Sequence, residues 1–279
     1  AEVLLRRARG LGSKDHRVAL ALGAYLRDKD RCAEALPLLE EALAVEPDNE
    51  AGIAALSVCY LGVGRHDEAA TMFRRLDTRG TTHLGSLGIA LFVGAHLESV
   101  EPEELFAIHR RFGQVLEGAL APVEAHPNSK DPERRLRVGF VSGDLYDHAI
   151  AHFLLPVWQH LDADRIELFA YSTAGKADEV TARFKRTVHH WFDAGSVGDE
   201  PLADRIRHDR IDVLFDLSGH TAYHRLGVFA RKPAPVQISW CGYPGTTGLT
   251  RMDYFFSDTV FSPPGLLDGQ FTEKLLLPR

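Results

Sequence analysis

The stretch "VSGDLYDHAIAH" (141–152) joins an apolar run to an apolar helical pattern through a short polar turn. Upstream, "LRVGFV" (136–141) is nearly continuously apolar, as a strand buried on both faces of a parallel sheet should be. Downstream, Ile150, Phe153, Leu154, Val157 and Leu161 fall on one side of a helical wheel. His148 and His152 fall on the other side, away from the face expected to lie on the sheet. The pattern recurs: strand-like runs at 166–171, 211–215 and 236–240, with shorter ones at 191–192 and 254–256. Helical stretches at 150–161, 178–187, 202–208 and 223–230 separate most of them. Such alternation means βαβ units, a parallel sheet and a Rossmann-like α/β domain.

In that architecture the turn after the first strand lies at the carboxyl edge of the sheet, where ligands bind, and helix N-termini there offer free N–H groups to anions. The polar turn admits four uses. A dinucleotide-phosphate turn would need G-x-G-x-x-G, which "GFVSGDL" lacks. A metal set of Asp144, His148 and His152 has suitable spacing, yet no further ligand cluster accompanies it. A plain polar helix start would use Asp144 or Asp147 as N-cap. The fourth use is a catalytic or ligand-contacting pair, Asp144 and His148. Two later turns favour it: "DLSGHT" (216–221), with His220 and Thr221, and "CGYPGTTG" (241–248), whose Gly242, Gly245 and Gly248 let the backbone approach a ligand. On this reading Gly242→Val weakens ligand binding more than folding.

Residues 16–83 have a different grammar, a period of 34. Tyr60 repeats Leu26, Ala69 repeats Ala35 and Phe73 repeats Leu39, while Ser57 stands for Gly23 and Thr81 for Pro47. Small residues at fixed positions let the helices of a hairpin approach closely, and large ones fill the groove between hairpins. Two units are fewer than the three usually needed, so flanking helices must cap them. "EPEELFAIHRRFGQVLEGAL" continues helical, with apolar positions at Leu105, Ile108, Phe112, Val115 and Leu116, and Pro- and charge-rich 121–135 reads as a linker. The organisation expected is a helical repeat and capping domain over 1–126, then an α/β domain over 127–279.

Bulk properties bound the function. With 45% apolar residues, 25% charged residues and a formal charge of −7, the chain has no electrostatic case for nucleic acid or anionic membrane. Cys32, Cys59 and Cys241 are odd in number and scattered, which argues for a reducing compartment. "AEVLLRRARGLG" holds no signal-peptide core, and three Pro and three Gly disqualify the uncharged run 233–250 as a membrane helix. The expected location is cytoplasmic.

The 34-residue units resemble tetratricopeptide repeats. "RLRVGFVSGDLYDH", "GHTAYHRLGVFARKPAPVQISWCGYPGTTGL" and "MDYFFSD" closely resemble the tetratricopeptide-linked O-linked N-acetylglucosamine transferases, including their bacterial homologues and the Spindly-type relatives. The resemblance implies tetratricopeptide-type helices followed by the Rossmann-like N-terminal lobe of a two-lobed (GT-B) glycosyltransferase. The implied enzyme is inverting and metal-independent, needs no cofactor, and moves N-acetylglucosamine from UDP-N-acetylglucosamine to Ser or Thr of proteins. Asp144 and His148 then match a strand-end aspartate and a cleft histidine. Gly242 and Pro244, with Cys241, match a turn bordering the donor sugar, and His96 is the candidate for a second upstream histidine. Ala149 and Ile150 stand where the animal enzyme has Pro-Thr. The resemblance further implies that acceptor polypeptide lies along the concave face of the repeats, which should run toward the cleft. It also implies that a second lobe, for which "EKLLLPR" is the point of departure, supplies most nucleotide contacts. His148 is then base, proton relay or sugar-positioning group, with the donor phosphate a rival base. A protein O-fucosyltransferase using GDP-fucose, or a non-catalytic peptide-binding scaffold, are the other readings.

Overall fold

The computed structural model describes residues 1–11, 15–78 and 82–278, which fall into two units, Ala1–Ile108 and His109–Arg279. The first unit contains helices α1 (Glu2–Gly10), α2 (His16–Arg27), α3 (Cys32–Val45), α4 (Glu50–Gly62), α5 (His66–Thr78) and α6 (Leu84–Gly94), and α7 (Pro102–Gly118) begins in it. The period of 34 produces two hairpins, α2 with α3 and α4 with α5, and α6 packs on both members of the second. Asp15 starts α2 by accepting the Arg17 N–H at 2.9 Å, and Asn49 does the same for Gly52 at the start of α4, also at 2.9 Å. Leu26, Ala35, Leu39, Ala69 and Phe73 are all buried, as the repeat pattern requires. Ser57, in the small-residue position of the second repeat, is buried too and donates its hydroxyl to the Ala54 carbonyl at 2.7 Å. Thr81 lies outside the described residues.

In the second unit the order is β1 (Leu136–Ser142), α8 (Ala149–His160), β2 (Ile166–Ser172), α9 (Glu179–Thr187), β3 (His190–Asp193), α10 (Asp199–His208), β4 (Val213–Asp216), α11 (Leu226–Phe229), β5 (Val236–Trp240), β6 (Tyr254–Phe256) and β7 (Lys274–Leu276). The strands form one sheet in the order β3-β2-β1-β4-β5-β6-β7, and every neighbouring pair is parallel. Strand order reverses between β1 and β4, where Val141 pairs with Tyr171 on one side and Asp216 on the other. A crevice opens at such a switch point, because the chain leaves the two strands toward opposite faces.

Two expectations need correction. The buried face of α8 is Ile150, Ala151, Leu154, Leu155 and Trp158, whereas Phe153 is 61% exposed and Val157 41%. The helix is rotated so that Trp158, its largest apolar side chain, packs between Phe140 (tilted, 5.0 Å between centroids) and Phe184 (edge-on, 5.2 Å). The helix expected over 223–230 begins only at Leu226, because Tyr223 has φ +60°. β7, an edge strand of three residues, carries too short a pattern to be read from sequence.

The division between units falls inside α7, earlier than the change of sequence pattern after residue 126. Residues 109–126 are tied to the sheet unit: the Arg251 N–H donates to Glu117 (2.9 Å), its guanidinium to the Leu120 carbonyl (2.8 Å), and the Val123 N–H to the Arg231 carbonyl (2.8 Å). No helix among the described residues is long and apolar enough to cross a membrane.

Candidate functional site

Three turns meet at the carboxyl edge of β1, β4 and β5. At the switch point the Gly143 N–H donates to Ser218 Oγ at 3.2 Å, which ties the turn after β1 to the turn after β4. The second turn is built on Asp216, 1% exposed, which accepts from the Ser218 and Gly219 N–H groups (3.1 and 3.0 Å) and from the Ser239 hydroxyl (3.0 Å). Burial outweighs those three donors and pushes the Asp216 carboxyl up to about 6. Thr221 closes the turn by donating to the Ser218 carbonyl at 2.8 Å.

The third turn, 241–248, is fastened from two sides. Glu273, 5% exposed, accepts from the Thr246 hydroxyl (2.5 Å), the Thr247 N–H (2.8 Å), the Thr247 hydroxyl and the Thr272 hydroxyl (3.1 Å). The Thr247 carbonyl accepts from His220 Nε2 at 3.0 Å, which leaves Nδ1 as the unprotonated nitrogen, without a partner among the described residues. Burial holds the His220 imidazole neutral, well below its ordinary range. His109, on α7, reaches the same place: its Nε2 is 3.0 Å from the Tyr243 hydroxyl, and its ring meets that of His220 edge-on at 5.1 Å.

Gly242 is a packing position. A Cβ there would stand 1.9 Å from the Leu217 carbonyl oxygen and 2.8 Å from Ser218 Cα. The expectation that valine at 242 would harm donor binding more than folding is therefore reversed, since the obstacle is the protein's own backbone. The neighbouring Cys241 holds φ +68°, rare for a side chain with a Cβ, and burial pushes its thiol up, away from the thiolate a nucleophile needs. Pro244 and Cys241, with Phe153, Trp240, Tyr243 and Phe256, line a cavity of 370 Å³.

The Asp144–His148 pair sits at the end of β1. Asp144 is 8% exposed, and its N–H donates to Ser142 Oγ at 3.0 Å. Among the described residues no hydrogen-bond donor reaches its carboxylate; His148 Nε2 is 4.0 Å away. Burial raises the Asp144 carboxyl above its ordinary range, against the charges of His148 and Lys176. His148 is itself the N-cap of α8: Nδ1 accepts the Ile150 N–H at 3.4 Å, a place expected for Asp144 or Asp147. In the neutral ring this cap puts the proton on Nε2, the nitrogen facing Asp144. No three His, Cys, Asp or Glu side chains among the described residues are disposed to hold a metal ion, so Asp144, His148 and His152 do not form a metal set.

Residues 116–278 match the model of glycosyl transferase family 41, and residues 26–81 match a tetratricopeptide repeat. The chain belongs to glycosyl transferase family 41. Over 180 residues this family 41 chain is 36% identical to the probable UDP-N-acetylglucosamine–peptide N-acetylglucosaminyltransferase SPINDLY of Arabidopsis thaliana, covering 63% of this chain and 20% of the relative. It is 35% identical over 144 residues to the UDP-N-acetylglucosamine–peptide N-acetylglucosaminyltransferase of Caenorhabditis elegans, covering 51% of this chain and 12% of that protein. The solved structure of a Thermobaculum terrenum O-GlcNAc transferase mutant superposes with a TM-score of 0.87 at 30% identity, over 99% of this chain and 53% of that one. The chain thus spans about half of that solved structure and a fifth of the plant relative.

Of the residues singled out in the sequence, the structure brings Asp144, His148, His220, Thr221, Cys241, Gly242 and Pro244 of this family 41 chain to the three turns at the sheet's carboxyl edge. His96 lies in the first unit, exposed, with Nδ1 2.7 Å from the Phe92 carbonyl one turn back. Sequence reasoning passed over His109 and Glu273. His109 stands three residues before Phe112 and so shares the apolar side of α7, and a histidine there must find a buried partner. Glu273 carries no comparable signal, because Thr246 and Thr247, its partners in the turn, lie 27 and 26 residues away.

Proposed function

We propose that this family 41 chain is the acceptor-side part of an inverting enzyme that transfers N-acetylglucosamine from UDP-N-acetylglucosamine to Ser or Thr of polypeptides. In the transfer, the acceptor oxygen attacks the anomeric carbon, the bond from that carbon to the diphosphate oxygen breaks, and the electron pair leaves with the diphosphate. The acceptor proton passes to a base. One observation carries the reading: Asp144, a buried carboxylate with no protein hydrogen bond among the described residues, at the switch-point edge beside His148. A carboxylate in that state is an acceptor for a substrate O–H. His148, capped through Nδ1, presents Nε2–H as a positioning donor, and serves as proton relay once the cap bond opens.

The remaining parts of the proposal are that acceptor polypeptide lies along the concave face of the repeat helices, that a second lobe supplies the nucleotide contacts, and that the reaction uses no metal or cofactor in the cytoplasm. The test is transfer by the intact protein from labelled UDP-N-acetylglucosamine to a Ser/Thr polypeptide, with and without chelator. Label on the polypeptide that survives chelation supports the reading. Turnover of GDP-fucose alone would replace it by fucosyl transfer, and binding of polypeptide with no turnover of either donor would replace it by a scaffold.

A further inference from the structure

Between Asp144 and His148 lie only Leu145, Tyr146 and Asp147, and no backbone-to-backbone hydrogen bond among the described residues involves 144–147. The turn has no hydrogen bonding of that kind to define its shape. Each of its three intervening residues is instead held by the segment that opens α9. The Thr181 hydroxyl donates to the Leu145 carbonyl at 2.8 Å. Lys176 Nζ donates to the Tyr146 hydroxyl at 3.2 Å and lies 4.4 Å from the centre of that ring. The Asp147 N–H donates to Asp178 Oδ2 at 2.8 Å. Asp178 is anchored in turn, since its Oδ1 accepts the Thr181 N–H at 2.8 Å and caps α9. Thr181 is 2% exposed, so its hydroxyl is fixed in a packed environment.

We infer that Thr181 and Asp178, with Lys176, are positioning residues that set the distance and orientation of the Asp144–His148 pair for sugar transfer. The inference rests on the transferase reading proposed above. Three consecutive residues gripped at one carbonyl, one side chain and one N–H leave the turn little freedom, and a misplacement of about 1 Å at a reacting group can cost 10²-fold in rate. Asp178 is exposed, yet its two backbone N–H bonds, from Thr181 and Asp147, hold it below the ordinary carboxylate range, the acceptor form that the clamp needs.

The experiment uses the intact protein with Thr181→Val, Thr181→Ser and Asp178→Asn, each made with and without His148→Ala. Asn at 178 keeps the oxygen that caps α9 and sets an amide NH2 against the Asp147 N–H. We expect Thr181→Val and Asp178→Asn to lower kcat about tenfold or more with donor KM within about twofold, and Thr181→Ser to restore most of the rate. On the His148→Ala background the same substitutions should cost less than about threefold, because one member of the pair whose distance they set is gone. Equal losses on both backgrounds, or a wild-type kcat in Thr181→Val, would overturn the inference. Amide exchange separates this outcome from failure of the transferase reading. Exchange at Asp147 should quicken about tenfold in Asp178→Asn while the amides of β2 keep their protection, and unchanged exchange at Asp147 refutes the clamp even if no sugar is transferred.

Discussion

Alanine in place of Gly113 sets two effects of opposite sign against each other. Gly113 is inside α7, and in an isolated helix this exchange stabilises by about 1 kcal/mol, because glycine gives up the most backbone freedom on folding. In the folded protein a Cβ on Gly113 would stand 1.8 Å from the Gly248 carbonyl oxygen and 3.2 Å from the Leu249 nitrogen. The obstacle is backbone in the turn that Glu273 fastens, so it cannot rotate aside; α7 must move by roughly an ångström in an interior with no slack. Overpacking of this kind costs about 1–3 kcal/mol, and the rigid partner favours the upper end. Such a movement also stretches the 3.0 Å contact between His109 and Tyr243, worth about 1 kcal/mol more. Three plus one less one gives a net loss of about 3 kcal/mol. Urea unfolding followed by the fluorescence of Trp158, Trp191 and Trp240, all in the sheet unit, measures it. A midpoint equal to or above wild type would show that helix propensity governs Gly113 and that the close approach to Gly248 is not there.

Gly242→Ala should lower stability by about 2–3 kcal/mol through its collision with the Leu217 carbonyl, so a variant of wild-type unfolding midpoint and impaired donor binding would restore the ligand-approach role to that glycine. Glu273→Gln leaves one oxygen in place of the two that accept from four donors and should cost about 2 kcal/mol in the same unfolding experiment; an unchanged midpoint contradicts the anchoring role. Because burial raises Asp216 to about 6, the folded state holds that proton more tightly than the unfolded chain, and the contribution to stability is full below pH ~4 and lost as pH rises to about 6. The wild-type protein should therefore lose about 3 kcal/mol across that window relative to Asp216→Asn, and parallel pH curves for the two would count against it. In the intact protein His148→Ala should lower turnover about 10²-fold without loss of fold, since His148 is half exposed; wild-type turnover would remove it from the reaction.

Local rules made much of this protein legible. The period of 34 names two hairpins because a repeat must place small and large residues where its neighbour needs them, and the buried Ala35, Leu39, Ala69 and Phe73 follow. The apolar run into "GDLYDH" names a strand, a ligand-edge turn and a helix start because burial on both faces and free N–H groups impose those residue types. Other features belong to tertiary structure, because they depend on which distant atoms arrive at one point. The rotation of α8 was decided by Trp158 finding Phe140 and Phe184. The role of Gly242 was decided by the Leu217 carbonyl, since a glycine left open for a ligand and one closed by backbone read alike. His109 needed Tyr243, 134 residues away, to become part of the site. The turn between Asp144 and His148, whose residues the sequence shows plainly, takes its shape from Asp178 and Thr181, because a segment whose backbone groups make no bonds among themselves must borrow its geometry from whatever packs against it.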